Sequence, residues 1–296
     1  MTYRSGNTSR VALDRIMQMV FQASGLFCIA ILGGILLMLL FNSVLFFAKV
    51  PLQSFFGELT WQPEYDKYGI WSLLAGTLLT TLGAMVIAVP IGIGTAVYLS
   101  EYASPSVRSL LKPAVEMLAA VPSVVIGFIG IVVVSPAIMM LTGASNGLNA
   151  LNGSVLLAIM ALPTIVAVSE DAIRAVPTVL REASYGLGAT KWTTLRMVVV
   201  PAAYPGIIAA VMLGMGRAIG ETMTVLMATG NAAAFPKGFF SPVRTITANI
   251  AIEMGEVPFF SVHYYGLFAT ALVLFILSFA INLLAERVVA RIRRFQ

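Results

Sequence analysis

The chain has 296 residues, of which 59% are hydrophobic and only 10% carry a charge. A water-soluble domain averages about a quarter charged residues, so the composition excludes a soluble protein and indicates an integral membrane protein. The net charge of +5 is not a sign of nucleic-acid binding until the charges are placed along the chain. The single cysteine, Cys28, excludes an intrachain disulfide.

Long apolar runs divide the chain, and each is close to the length of about 20 residues that crosses a bilayer as a helix. The expected fold is an all-α integral membrane protein. A polar arm, 1–22, comes before the first run, and a basic tail, 287–296, follows a core of 72–286. The spans are expected at 23–48, 72–99, 114–141, 154–169, 198–229 and 263–284.

Two longer loops separate these runs on one side. The loop 49–71 is rich in aromatic residues, which collect at membrane interfaces. In the loop 230–262, Ser241 is expected to cap a helix that Gly255 ends. His263, the only histidine, is interpreted as an interfacial residue, and a chain with one His and one Cys is not expected to bind a metal.

The polar loop 170–197 lies between the fourth and fifth spans. Pro177 suits the first turn of a helix, Gly186 and Gly188 suit its end, and Thr190 can cap a second short helix. The residues alone therefore predict a compact helix–turn–helix on the membrane face.

The spacing in this loop resembles a known pattern. Glu182-Ala183-Ser184 is followed after three residues by Gly188 and after nine more by Val198-x-Val200-Pro201. This closely resembles the cytoplasmic E-A-A-x-x-x-G…I-x-L-P loop of ABC importer permeases, with conservative changes at Ser184, Val198 and Val200. The resemblance implies a coupling loop that docks on an ATPase subunit. The implied coupling residues are Glu182, Ala183, Ser184, Gly188 and Pro201.

The fifth run carries a stripe of small residues, which predicts close packing against another helix. The stripe recurs every fourth residue, at Gly206, Ala210, Gly214, Ala218 and Thr222. On the neighbouring stripe lie Arg217 and Glu221, the only charges deep in any predicted span. Each costs about 2.5–3.5 kcal/mol at the bilayer centre, and their i,i+4 spacing predicts that they neutralise one another.

Two interpretations of Arg217 and Glu221 remain open at this point. They form a structural pair, or Arg217 offers a planar donor fork to an anion such as phosphate and alternates between that anion and Glu221. Thr77, Ser123 and Thr222 are candidate hydroxyl donors in the same pathway. A hydroxyl bonded back to its own helix is an equally good reading of each.

The basic residues predict the orientation of the chain. Thirteen of the 18 Lys and Arg lie in the N-terminal arm, the loops 101–113 and 170–197, and the C-terminus. Four lie in the opposite loops, and Arg217 is the last. Because basic residues concentrate on the cytoplasmic side, both termini and the loop 170–197 are expected in the cytoplasm.

Further stretches resemble one permease family in particular. They are Trp61 to Tyr68, Pro122 to Gly127, Gly216 to Asn231, Phe240 to Ala251 and His263 to Phe275. Together with the coupling loop they match the phosphate ABC transporter permeases of the PstC type, from about residue 61 to 286. The resemblance implies an ABC type I importer permease fold in a bacterial inner membrane. It also implies a PstA-type permease as heterodimer partner, a PstB-type ATPase dimer and a periplasmic phosphate-binding protein.

Catalysis is not expected of this chain, because it has no G-x-x-x-x-G-K-[ST] nucleotide loop. ATP and Mg²⁺ would therefore bind the partner ATPase, and no cofactor is expected on this chain. A permease for molybdate, sulfate or phosphonate and an added sensory role remain alternatives. An ion-coupled secondary transporter is also possible, although it would call for several acidic residues within the membrane, where only Glu221 is predicted.

Overall fold

The computed structural model describes residues 6–293, and within that range the fold is almost entirely helical. Six helical segments are long and apolar enough to cross a membrane, which confirms the predicted all-α architecture with six spans. They are Leu13–Phe47, Trp71–Tyr102, Ser123–Thr142, Ala150–Arg174, Lys191–Gly220 and Val262–Arg291.

The first helix, α1 (Gly6–Phe47), is longer than predicted because it continues through most of the segment expected to be a polar arm. Its apolar side chains are exposed along most of its length, and it packs against the last helix, α13 (Val262–Arg293). An exposed apolar surface of this size requires lipid or another chain around it.

A small cap closes one end of the bundle after α1. It consists of α2 (Leu52–Gly57) and an antiparallel hairpin, β1 (Trp61–Gln62) and β2 (Lys67–Tyr68), in which Trp61 lies opposite Tyr68. Both rings are buried in a cluster with Phe46, Phe55 and Leu267. Burial, with a smaller effect of Asp66, raises the pKa of Tyr68 above its ordinary value.

The centre of the bundle is formed by α3 (Trp71–Val97), α7 (Ala150–Arg174) and α10 (Val200–Gly220). The fully buried Ile165 of α7 lies between two glycines. A Cβ atom at Gly92 of α3 would lie 2.7 Å from Ile165 Cγ2, and one at Gly214 of α10 would lie 2.6 Å from Ile165 Cγ1. The small residues of α10 therefore form the contact with α7, as the predicted stripe requires.

The fourth span is longer at both ends than the predicted 154–169. The side chain of Asn149 caps α7 by accepting a hydrogen bond from the Asn152 amide, and the helix runs on to Arg174. Pro163 lies inside α7 without interrupting it. A proline deprives the helix of one backbone bond, which neighbouring helices can compensate in a membrane.

The third span begins later than predicted, and residues 114–118 do not belong to it. They end a separate helix, α4 (Pro105–Leu118), whose first turn is capped by Ser104. The span itself consists of α5 (Ser123–Ile129), a π-helical turn and α6 (Ser135–Thr142). Pro122 explains the break, because proline disfavours helical geometry in the residue before it.

The fifth span also differs from the predicted 198–229. It starts with α9 (Lys191–Thr194), which passes through a π-helical turn into α10. It ends at Gly220, because Glu221 is extended with ψ 134°, and a separate helix, α11 (Met223–Ala228), follows. Pro201 is the second residue of α10 and comes directly after the π-helical turn.

In the loop before the last span, the predicted cap at Ser241 is wrong. Val243 donates a backbone hydrogen bond to Thr229, which holds this part of the loop extended. The helix of this loop is α12 (Ile246–Glu253), and the side chain of Thr245 caps it by accepting from the Ala248 amide.

The glycine contacts predict a matched pair of stability effects on α10. Gly214→Leu forces a side chain onto Ile165, and overpacking of this kind costs about 1–3 kcal/mol. Gly216→Leu, two residues along the same helix, has no atom within 4 Å of the new Cβ position. We expect the thermal unfolding midpoint of the detergent-purified protein to fall for Gly214→Leu and to change little for Gly216→Leu. Equal midpoints would contradict the packing described here.

Candidate functional site

Two breaks between helices lie beside each other, and Ala119, Ala120, Pro122 and Gly220 at these breaks are exposed. The break 119–122 lies between α4 and α5, and the break 221–222 lies between α10 and α11. The Thr224 hydroxyl joins them by donating to the Ser123 carbonyl at 3.0 Å. The Thr247 hydroxyl of α12 donates to the Glu221 carbonyl at 2.7 Å, so a third helix supports the same junction. Non-helical backbone at membrane depth occurs where it is enclosed by protein or lines an aqueous cavity.

Arg217 lies in the last turn of α10 and reaches across this junction. Its side chain is half-buried, and Nη2 donates to the Ala119 carbonyl at a distance of 3.4 Å. No acidic side chain lies within 4.0 Å of the guanidinium among residues 6–293. Most donor positions of the guanidinium are therefore free for an anion.

The predicted pairing of Arg217 with Glu221 is wrong for this structure. Because α10 ends at Gly220, Glu221 is not one helical turn beyond Arg217, and the i,i+4 geometry is lost. The Glu221 carboxylate instead lies near Thr224, at 3.4 Å from the hydroxyl and 3.5 Å from the amide nitrogen. The two charges thus share one junction without neutralising each other.

The three hydroxyl candidates differ in their surroundings. Ser123 lies half-buried at the start of α5, within the junction, and Thr222 lies in the break beside Glu221, with its hydroxyl 3.4 Å from the Gly220 carbonyl. Thr77 is buried in α3, where its hydroxyl donates to the Leu73 carbonyl and accepts from the Ile246 amide. Ser123 and Thr222 therefore lie at the same junction as Arg217, whereas Thr77 binds the first residue of α12.

The loop expected to couple to a partner forms a knob with the predicted turn chemistry. Its first helix is α8 (Thr178–Gly186), and Gly188 has a φ of +81°, the left-handed geometry that favours glycine. Thr190 caps α9, as predicted, by accepting a hydrogen bond from the Thr193 amide. Ser184 and Thr194 join the two helices through their hydroxyls at 2.9 Å.

The free face of this knob is partly apolar. Glu182 and Ala183 are exposed on α8. The exposed apolar and aromatic side chains around them are Val179, Leu180, Tyr185 and Leu187, of which Leu187 is 90% exposed. Large apolar side chains grouped at the end of a membrane protein mark a contact surface for another chain.

The sequence interpretation missed the residue that holds α8 in place. Arg181 donates to the carbonyls of Ile173 and Val176 and to the Glu101 carboxylate at 3.0 Å. It therefore joins α8 to the ends of α7 and of the second span. The sequence shows Arg181 beside Glu182 in the polar loop. Its partner Glu101 is 80 residues away in the chain, so local spacing could not identify this contact.

A second ionic contact, also missed, fixes α4. Glu170 of α7 is fully buried and contacts Arg108, Lys112 and Arg174, with Lys112 Nζ at 2.7 Å. Hydrogen bonding to Glu170 and then to Asp171 raises the pKa of Lys112 above its ordinary value, despite the opposing effect of burial. The i,i+4 spacing of Arg108 and Lys112 was a usable indication that one face of α4 is basic.

The opposite end of the bundle holds a polar cluster around Glu253. Its carboxylate accepts from Arg244 at 2.9 Å and from Trp61 Nε1 at 2.9 Å, and it lies 2.7 Å from His263 Nε2. Asn249 completes the cluster. A cavity of about 540 Å³ is lined by Trp61, Arg244, Glu253 and His263 of this cluster. His263 is thus at the start of the last span, as predicted, but its contact with Glu253 was not foreseen.

The chain is similar in sequence to membrane permeases. A family model described as "Binding-protein-dependent transport system inner membrane component" matches residues 88–294. The "Probable ABC transporter permease protein YqgH" of Bacillus subtilis is 39% identical, over 80% of this chain and 78% of that protein. The "Phosphate transport system permease protein PstC" is 34% identical in Mesorhizobium japonicum, over 98% of this chain and 94% of that protein. The Pasteurella multocida protein of the same name is 32% identical, over 94% of this chain and 93% of that protein.

Solved structures share the fold. The MetNI methionine ABC transporter in an inward-facing conformation has a TM-score of 0.56 at 22% identity, over 76% of this chain and 94% of that chain. An amino acid ABC transporter has a TM-score of 0.53 at 20% identity, over 77% of this chain and 96% of that chain. At these identities the likeness concerns the fold alone, and the fold is that of ABC importer permeases. The chain therefore belongs to the binding-protein-dependent transport system inner membrane components and, within that family, to the PstC-type permeases.

Proposed function

We propose that this chain is the permease subunit of an ATP-driven phosphate importer, with Arg217 as the group that contacts the anion. The guanidinium of Arg217, which has no ion-pair partner in the described part of the chain and lies where the breaks 119–122 and 221–222 meet, carries this proposal. Phosphate bears one to two negative charges and cannot cross hydrocarbon unaided. A planar fork of donors suits its oxygens, and interrupted membrane helices are where transporters build substrate sites.

Glu221, Thr222 and Ser123 complete the proposed pathway. The Ser123 hydroxyl can donate to a phosphate oxygen beside Arg217. Glu221 stays close enough to the junction to discourage a second anion and to meet the guanidinium if the break at 221–222 straightens. In this proposal its carboxylate pairs with the positive charge of Arg217 after the anion leaves.

The test of this function is ATP-dependent uptake of labelled phosphate by the whole complex in proteoliposomes. Unlabelled molybdate, sulfate and phosphonate compete in parallel. We expect phosphate to compete best and uptake to stop without ATP. Uptake that follows an ion gradient without ATP would favour a secondary transporter, and preferred competition by another oxyanion would reassign the substrate.

Arg217 provides the sharpest mutational test of the pathway. Arg217→Lys keeps the charge but loses the bidentate fork, and a charge-assisted hydrogen bond is worth about 1.5–3 kcal/mol. We expect phosphate uptake to fall by about tenfold or more while the complex still assembles. The double variant Arg217→Met/Glu221→Leu should lose uptake as well. Near-normal uptake by the assembled double variant would show that transport needs neither charge and would contradict the pathway.

The knob formed by α8 and α9 is the proposed docking surface for the ATPase, which would bind ATP and Mg²⁺. Its support is the exposed face around Glu182 and the anchoring of α8 by Arg181 to Glu101. Through that anchor, movement of the ATPase would reach the second and fourth spans directly. A PstA-type permease, a PstB-type ATPase dimer and a periplasmic phosphate-binding protein are the proposed partners.

Two substitutions on the knob should uncouple transport. Glu182→Lys reverses an exposed charge on α8, and Glu116→Lys, on exposed α4, is its matched control. Gly188→Val strains the left-handed turn, whereas Gly188→Asn tolerates it; neither meets an atom within 4 Å of the new Cβ. We expect Glu182→Lys and Gly188→Val to abolish both ATPase co-purification and uptake, and the two controls to keep them. Full co-purification and coupled uptake in the first two variants would refute the docking role.

The orientation proposed from the positive charges places α8 and both termini in the cytoplasm of a bacterial inner membrane. Leu187→Cys and Tyr65→Cys test it in a Cys28→Ser background, because these side chains are 90% and 72% exposed. A membrane-impermeant maleimide added outside should label position 65 and not position 187. The reverse pattern would invert the topology.

A further inference from the structure

A second cavity, of about 420 Å³, opens on the side of the bundle at the end that carries α8. It lies between the end of α3 and the junction of α9 and α10. Its walls are apolar or aromatic apart from one guanidinium. The lining residues are Gly94, Val97, Trp192, Leu195, Arg196, Val200 and Tyr204. We call this cavity the lateral groove.

Arg196 is the one charge in the lining of the lateral groove. It is exposed and has no hydrogen-bond or ion-pair partner among residues 13–291, whose side chains the structure describes. Its neighbours at this end of the molecule behave differently, since Arg108 and Arg174 contact Glu170 and Arg181 contacts Glu101. The lateral groove therefore offers an unneutralised cation beside apolar walls.

The groove lies at the level where the bilayer changes from headgroups to hydrocarbon. Trp192 is exposed at its mouth, and Lys191 Nζ lies 4.7 Å from the centre of the Tyr102 ring. Trp, Tyr and Lys side chains at the end of a span mark the membrane interface. Tyr204 lies about 12 Å deeper than Arg196 at 1.5 Å per residue. The lateral groove thus extends from the headgroup region into the hydrocarbon.

The lateral groove is separate from the junction that holds Arg217. Tyr204 and Arg217 are thirteen residues apart on α10, which places them about 140° apart around the helix axis at 3.6 residues per turn. The two sites therefore occupy different sides of α10, and the groove opens toward the surroundings of the bundle.

We propose that the lateral groove binds an anionic glycerophospholipid such as phosphatidylglycerol. The Arg196 guanidinium contacts the phosphodiester, and one acyl chain lies along Gly94, Val200 and the Tyr204 ring. Basic pockets between membrane helices on the cytoplasmic side suit such headgroups. Bound there, the lipid holds the start of α10 against the end of α3, next to the knob. This inference goes beyond the proposed transport function and does not depend on its substrate.

The experiment is native mass spectrometry of the purified complex in nonionic detergent. The complex is titrated with phosphatidylglycerol, with phosphatidylcholine of the same chains, or with glycerol 3-phosphate. We expect each copy of this chain to retain one phosphatidylglycerol in preference to phosphatidylcholine. Glycerol 3-phosphate should not displace it, because the apolar wall contributes to binding.

Two variants separate the headgroup contact from the chain contact. Arg196→Gln should lower the affinity for phosphatidylglycerol by about fivefold, which is the effect of one basic residue at an anionic surface. It should also remove the preference for phosphatidylglycerol over phosphatidylcholine. Arg196→Lys should keep most of the affinity for phosphatidylglycerol. Arg287→Gln removes a positive charge on the same side of the membrane and is the control for general charge effects. In Gly94→Leu the new Cβ has no atom within 4 Å, and the rest of the side chain occupies space in the groove, so this variant should block both lipids. Gly33→Leu, also without a neighbour within 4 Å, should change neither.

Three results would overturn the proposal. The first is the absence of retained phosphatidylglycerol, which would mean that a partner chain covers the groove in the complex. The second is unchanged retention in both Arg196→Gln and Gly94→Leu, which would place the lipid elsewhere. The third is displacement by glycerol 3-phosphate, which would indicate a site for soluble anions. Phosphate uptake is not the readout, so failure here is distinguishable from failure of the transport proposal.

Discussion

Close packing of α7 against both α3 and α10 is the contact on which the rest of this structure depends. In a bilayer, apolar surface gains nothing by leaving lipid, so helices associate where small residues let side chains interlock. Gly92 and Gly214 provide this on either side of Ile165. With α7 held from two sides, the flanking elements can be interrupted without loss of the bundle.

The interruptions are where chemistry becomes available. The breaks at 119–122 and 221–222 expose backbone groups that the continuous spans keep in their own hydrogen bonds. Thr247 donates to the Glu221 carbonyl and Arg217 to the Ala119 carbonyl in these breaks, and Thr224 donates to the Ser123 carbonyl beside them. At the membrane face, Arg181 and buried Glu170 fix α8 and α4 to the same rigid core. Both surface helices are therefore joined by ionic contacts to helices of the bundle.

Much of this architecture was predictable from the sequence. Six apolar runs dictate six spans, since a polar backbone in hydrocarbon must satisfy its own hydrogen bonds as helix. The stripe through Gly214, the turn at Gly188 and the cap at Thr190 also followed from local chemistry. These features depend on residues close together in the chain. For the same reason the spacing in the loop 170–197, together with further local stretches, was enough to indicate the family.

The tertiary structure decided what depends on distant partners. A period of four suggested that Arg217 and Glu221 pair, but the helix ends at Gly220 and their side chains separate. Helix ends are poorly marked inside apolar runs, because hydropathy is the same on both sides of a break. The partners of Glu170, Arg181 and Glu253 lie on other elements. The sequence by itself determined the spans and the turns, whereas the ionic contacts and the junction around Arg217 arise only when folding brings separate helices together.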